Sequence, residues 1–247
     1  MPWRVSDASG KFDVYKIVVS EFMLQQTQVS RVVQKYEYFL SKFPTIVSLA
    51  NARLADVLLA WNGLGYNRRA KYLHDAAKIL QHLPQPWQYD DLVSCSGIGP
   101  NTAHAVRVYA YNIPEVFIET NIRTVFIHYF FAEHAQVSDK QIAMLVEKTL
   151  DRSSPRIWYW ALMDIGAYLK SENKNSLHKS TAYKKQPTFK GSVRQIRGLV
   201  LKTLAGGPCT TNKLSLLVSD GRLDMVLKSL QNEGLITKKG DVYSLGS

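Results

Sequence analysis

Residues 96–103 read Ser96-Gly97-Ile98-Gly99-Pro100-Asn101-Thr102-Ala103 and lie between two helix-forming stretches. Two glycines around one apolar residue let a tight turn present consecutive backbone N–H groups. A helix opening at Pro100 adds its positive N-terminal end. Ile98 then points inward and fastens the turn to a core. Together these features form a nest for a phosphate, although a Gly-x-Gly pair alone is also an ordinary turn.

Outward from this turn, the pattern is helical from residue 13 to about 169. Val29, Val32, Val33, Tyr36, Phe39, Leu40 and Phe43 recur at spacings of three and four, marking one buried helix face. A helix is predicted over 68–82, stopped by Pro84 and Pro86, and another from Pro100 to about 111, before Pro114. Further helices read at about 119–132, 138–151 and 155–169. Without β-alternation in this region, a parallel-sheet enzyme is disfavoured.

Residues 170–190 carry six lysines, one acid and almost no aliphatic side chains, as a linker does, with Tyr183 and Phe189 available to dock. Helical periodicity returns over 193–204 and stops at Gly206-Gly207-Pro208. Thr210-Thr211-Asn212 caps a short helix through Val218, and Asp220 starts a third, with Leu223, Val226, Leu227 and Leu230 on one face and Gly234 as its stop. Residues 235–245 read as a β-hairpin. Three short helices and a hairpin follow the order of a winged helix-turn-helix, for which DNA contact is the favoured reading and oligomerisation or protein docking the alternative.

The 247 residues suggest one or two domains, and 46% hydrophobic residues are enough for real cores. No apolar run approaches the roughly 18 residues of a membrane span. The start, MPWRVSDASG, lacks a signal-peptide core, so a cytoplasmic protein is expected. Two cysteines, Cys95 and Cys209, are too few for a disulfide framework or a four-cysteine metal site, and no histidine spacing suggests metal. Net charge is +11. Residues 170–247 hold 14 basic and 5 acidic residues, net +9, leaving 17 and 15, net +2, for residues 1–169. Nucleic acid is the favoured polyanion, because no basic amphipathic anchor helix stands out for a membrane.

Two acids sit in unusual settings. Glu21 interrupts the apolar stretch from Ile17 to Leu24. A carboxyl between a buried face and a cleft loses hydration, which raises its pKa and suits it to general-acid work; the plain alternative is a salt-bridged helix glutamate. Glu119 follows Val116-Phe117-Ile118, and its plain alternative is a helix cap. The cluster Gln25-Gln26-Thr27-Gln28 offers side-chain amides that read base edges or fill a gap in a stack, unless it is simply a polar helix end. Asp164 reads as structural.

These stretches resemble the helix-hairpin-helix base-excision glycosylase superfamily, and within it the adenine DNA glycosylases. The resemblance covers about residues 2–169 and rests on PWR (2–4), VSEFMLQQTQV (19–29), FPT (43–45), LAWNGLGYNRRAKYLHDAA (59–77), SGIGPNTAHAV (96–106), FIETNIRTV (117–125) and MDIGA (163–167). It implies a base flipped from duplex DNA, protonated by Glu21, with Glu119 stabilising the sugar cation and positioning water. It also implies that Gln25, Gln26, Leu64 and Tyr66 fill or wedge the opened duplex. Gly97 and Gly99 grip phosphate, joined by Thr27, Asn101 and Thr102 at the DNA surface. The chain departs from the family in four places. Glu119-Thr120 stands where the family has aspartate and glycine. Asn101 stands where lyases carry their lysine, which implies a monofunctional enzyme. No cysteine follows MDIGA, so no iron–sulfur cluster or other cofactor is expected. The winged helix stands where adenine glycosylases carry the domain that inspects 8-oxoguanine.

The expectation is therefore an all-α, two-lobed glycosylase domain (1–169), a basic linker (170–190) and a winged helix-turn-helix-like domain (191–247). It would act as a monomer on duplex DNA holding a mismatch or damaged base, removing adenine opposite guanine or 8-oxoguanine. Two alternatives stay open: a thymine or uracil glycosylase at G mismatches, and a non-catalytic DNA-binding protein.

Overall fold

Asp13 opens the helical array in the computed structural model, which describes residues 1–172, 174 and 176–246. Its carboxylate accepts from the Tyr15 and Lys16 amides and starts α1 (Val14–Leu24). This helix is apolar on nearly every side, so it runs through the middle of the molecule, burying Val18, Val19, Phe22 and Met23 among others. Each such side chain contributes about 1.5–3 kcal/mol. The amphipathic α2 (Val29–Lys42) covers it with Val32, Tyr36 and Phe39. A Thr45/Ser48 capping box starts α3 (Ile46–Ala50). Next come α4 (Leu54–Trp61), α5 (Arg68–Leu80), α6 (Tyr89–Val93) and α7 (Pro100–Tyr111), the last closed by Asn112 in the left-handed region.

A second lobe holds α8 (Thr120–Phe130), α9 (Asp139–Thr149) and α10 (Pro155–Ser171). The N-terminal segment belongs to it as well: Phe12 packs edge-on against Trp160, and Arg4 lies over the same indole. No strand occurs before residue 209 among the described residues.

The C-terminal unit runs α11 (Val193–Ala205), β1 (Cys209–Thr210), α12 (Thr211–Leu217), α13 (Leu223–Asn232), β2 (Ile236–Lys239) and β3 (Val242–Leu245). Its antiparallel sheet has the order β1-β3-β2, with Cys209 opposite Tyr243 and Ile236 opposite Leu245. The unit docks on the first lobe. Glu233 accepts from Arg68 of α5 at 2.6 and 3.1 Å and from Arg197 of α11 at 2.6 and 2.9 Å. Burial alone would raise the Glu233 pKa, but these guanidiniums and Ser229 hold it at about 2.

Three expectations need correcting. The third helix of the C-terminal unit starts at Leu223, not Asp220. The Asp220 carboxylate instead accepts from the Arg222 amide and guanidinium and locks the preceding turn. Strand β1 went unanticipated, because two residues carry no alternation. The lysine-rich stretch is not merely a linker: Leu177 and Ser180 are buried, and residues 179–181 pair with Val137 through bonds of 2.8 and 3.0 Å. No helix among the described residues is long and apolar enough to cross a membrane.

Candidate active site

Between the lobes lies a cleft of about 1410 Å³, reached by the end of α1, the loop before α5, the starts of α7 and α8, and one face of α10. Glu21 and Glu119 both line it, although 98 residues separate them in the chain. Glu21 makes no ion pair or hydrogen bond among the described residues, so it is not a salt-bridged surface glutamate. Burial pushes its pKa well above the ordinary value, and the Glu119 carboxylate pushes the same way against a weaker opposing pull from Arg4. Glu119 occupies the cap position of α8 yet caps nothing with its side chain. Burial raises its pKa too, while Arg123 and Lys170 favour the anion. The two acids thus differ in their surroundings: burial and the Glu119 carboxylate both disfavour the Glu21 anion, whereas Glu119 has Arg123 and Lys170 near it to offset part of its burial.

The approach to Glu119 is held on both sides. The Tyr159 hydroxyl donates to Glu115 O at 2.9 Å and accepts from the Phe117 amide at 3.1 Å. Asn101 donates its amide to Ile118 O at 2.9 Å, tying the hairpin helix to the residue before the acid. Below, Gly166 lets α8 lie directly on α10: a Cβ there would meet Asn121 O at 2.5 Å. Lys170 of α10 donates to Asn121 Oδ1 at 2.5 Å, and burial lowers its pKa against the pull of Glu119.

In the turn that opens α7, Gly97 has φ +87, and a Cβ would sit 2.7 Å from Tyr72 and 3.0 Å from Phe22. Only glycine fits. Ile98 is buried as expected, and Gly99 faces open space. Thr102 lines the cleft. Gln25 donates to Gly97 O at 3.2 Å, joining the end of α1 to the hairpin. Gln26, with φ 55, and Tyr66, with φ 47, both stand at the cleft in left-handed backbone conformations. Leu64 lines the cleft as well, with 2% of its surface exposed.

Sequence reasoning missed the residue that organises these loops. Arg69 is buried, and its guanidinium donates to Phe22 O (2.7 Å), Met23 O (3.1 Å) and Gln25 O at the end of α1. It also donates to Thr27 Oγ1 (2.8 Å) and Gly65 O (3.2 Å). Burial lowers its pKa to about 10. Tyr109 was missed as well. Its buried hydroxyl has no hydrogen-bond partner among the described residues, and both acids act on it electrostatically. Asp164, read as structural, pairs with Arg4 at 2.7 Å on the cleft wall.

Among the described residues no three His, Cys, Asp or Glu side chains gather as a metal site. The cysteines are buried apart, Cys95 before the hairpin and Cys209 in β1, so a four-cysteine cluster does not fit them.

The chain is 35% identical to an adenine DNA glycosylase of Buchnera aphidicola subsp. Baizongia pistaciae over 68% of its length, spanning about half (48%) of that relative. It is 31% identical to an adenine DNA glycosylase of Mycolicibacterium smegmatis, covering 98% of this chain and 89% of the relative. A solved thermostable thymine-DNA glycosylase superposes with a TM-score of 0.61 at 21% identity, covering 72% of this chain and 83% of the other, a likeness of fold. Residues 19–156 match the family described as HhH-GPD superfamily base excision DNA repair protein. That match spans more than half of the chain, and the chain belongs to this family.

Proposed function

We propose that this protein is a monofunctional DNA glycosylase that hydrolyses the N-glycosidic bond of adenine flipped from duplex DNA, opposite guanine or 8-oxoguanine. The observation that carries this reading is the pair of carboxyls lining one cleft, Glu21 without a hydrogen bond or ion pair among the described residues and Glu119 near the cations Arg123 and Lys170. Glu21 gives its proton to the departing base. The Glu119 carboxylate stabilises the positive charge that develops at C1′. Water then adds to C1′, and its proton passes to Glu119. Tyr109, kept neutral by burial, offers an unpartnered hydroxyl on which both acids act. Gln26 and Tyr66 fill the space that the base leaves, and the amides around Gly97 and Gly99 hold a backbone phosphate.

The choice of adenine rests on the two relatives named above. Asn101 supplies no amine in the hairpin helix, which supports hydrolysis without strand cleavage. The test is base release from duplexes carrying A:8-oxoG, A:G, U:G, T:G or hypoxanthine. Adenine should be released first, leaving an alkali-labile abasic site, and Glu21→Gln should lower the rate by at least about 100-fold. Preferred release of another base, covalent trapping by borohydride at Lys170 or elsewhere, or full activity in Glu21→Gln would overturn the reading.

A further inference from the structure

The winged-helix unit contributes to the same cleft, and it does so with an unexpected helix. In such folds the third helix is the usual groove reader. Here the C-terminal end of α13 is occupied by the Arg68–Glu233–Arg197 cluster, and its solvent face offers Asp224, Met225 and Lys228, with no net positive charge. The cleft wall is instead built from α11, through Arg194, Gly198, Leu201 and Lys202. Gly198, Leu201 and Lys202 follow Arg194 by four, seven and eight residues and so share one helix face. No acid occurs within α11. Arg194 and Lys202 have no carboxylate partner among the described residues, so both charges stay available, whereas Arg197 is ion-paired with Glu233, which it shares with Arg68.

Gly198 points the same way. It lies in the interior of α11, where glycine weakens a helix relative to alanine, yet nothing lies within 4 Å of where its Cβ would be. Packing therefore gives no reason for glycine. A bare helix edge facing a cleft admits close approach of a sugar–phosphate chain. Arg194 also donates to the Tyr66 hydroxyl at 2.6 Å, and Gln186 reaches both Tyr66 and Gln26.

We propose that α11 is a DNA-binding surface of this protein, taking the backbone of the strand that pairs with the target nucleotide. The choice of strand rests on the function proposed above. A base turned towards Glu21 leaves its partner beyond Gln26 and Tyr66, and that is where Arg194 stands. The C-terminal unit is thus a fixed wall of the active-site cleft, and Arg194 joins it to the tyrosine that faces the opened pair.

The test measures duplex affinity across a salt series with Glu21→Gln protein, which holds the substrate without releasing the base. Each phosphate contact contributes about 0.9 to the slope of log affinity against log salt. Arg194→Ala/Lys202→Ala should therefore lower the slope by roughly 1.8 and weaken binding at least about 10-fold. Gly198→Glu puts an acid on the wall while improving helix propensity. It should weaken binding as strongly without lowering Tm, so loss of folding cannot mimic the result. The wing substitutions Lys238→Ala/Lys239→Ala should leave the slope unchanged. An unaltered slope in Arg194→Ala/Lys202→Ala, or a loss confined to the wing variant, overturns the proposal. Base release by the otherwise wild-type protein is scored separately, so failure of the proposed reaction is distinguished from failure of the α11 surface.

Discussion

Glu21 is costly to keep inside the fold as an anion, and that cost has a sign. Its folded pKa lies well above the ordinary 4.5. As pH rises past 4.5, ionisation therefore favours the unfolded chain, and stability falls until pH passes the folded pKa. Replacing Glu21 with glutamine removes this penalty, so the Tm advantage of Glu21→Gln over wild type should be larger at pH 8.5 than at pH 5. Equal differences at both pH values would contradict a desolvated carboxyl. Base release should decline as pH rises through the folded pKa and the proton is lost. Both acids were legible in the sequence, because each interrupts or ends an apolar run inside a recognisable motif. Arg69 and Tyr109 were not. The carbonyls that Arg69 binds end a helix more than 40 residues away, and a tyrosine on a buried helix face reads like any other core aromatic.

At the scale of elements, the hairpin turn is the most constrained piece. Gly97→Ala forces a side chain onto a left-handed backbone and drives a Cβ against Tyr72 and Phe22. A loss of about 2–3 kcal/mol is expected from the two effects, measured by denaturant unfolding, with α5 and α1 displaced from the turn. A neutral substitution would show that the turn relaxes freely. Most helices were readable from their 3.6-residue periodicity and proline boundaries. One misreading has a local cause. Asp220 looked like a cap because aspartate suits that role, whereas its carboxylate is already engaged by Arg222.

At the scale of the whole molecule, one carboxylate joins the C-terminal unit to the first lobe. Glu233 has a folded pKa of about 2 against an ordinary 4.5. Its contribution is full above pH 4.5 and is lost as pH falls towards 2. Glu233→Gln should cost about 2 kcal/mol at pH 7, allowing for the half-exposed Arg68 partner. The difference from wild type should shrink in acid, followed by thermal melts from pH 7 to pH 3. A difference independent of pH would assign the loss to packing. The change of periodicity after residue 190 and the basic bias of the C-terminal segment were legible in the sequence. The docking of that segment was not, because Arg68, Arg197 and Glu233 lie far apart in the chain and resemble ordinary surface charges.

The absent side chain at position 166 has one more consequence. Because α8 rests directly on α10 there, the backbone carrying Glu119 has no slack to advance into the pocket. The carboxylate reaches the reaction centre by its own length, and shortening it cannot be made good by a shift of the main chain. Glu119→Asp pulls the charge back by about 1.5 Å. It should therefore impair base release by 10-fold or more at unchanged Tm and duplex affinity, even though aspartate is the residue that this family ordinarily uses. Two members of one family would then hold the same charge at the same point in space by different divisions between backbone and side chain, so that neither acid is exchangeable for the other in its own scaffold.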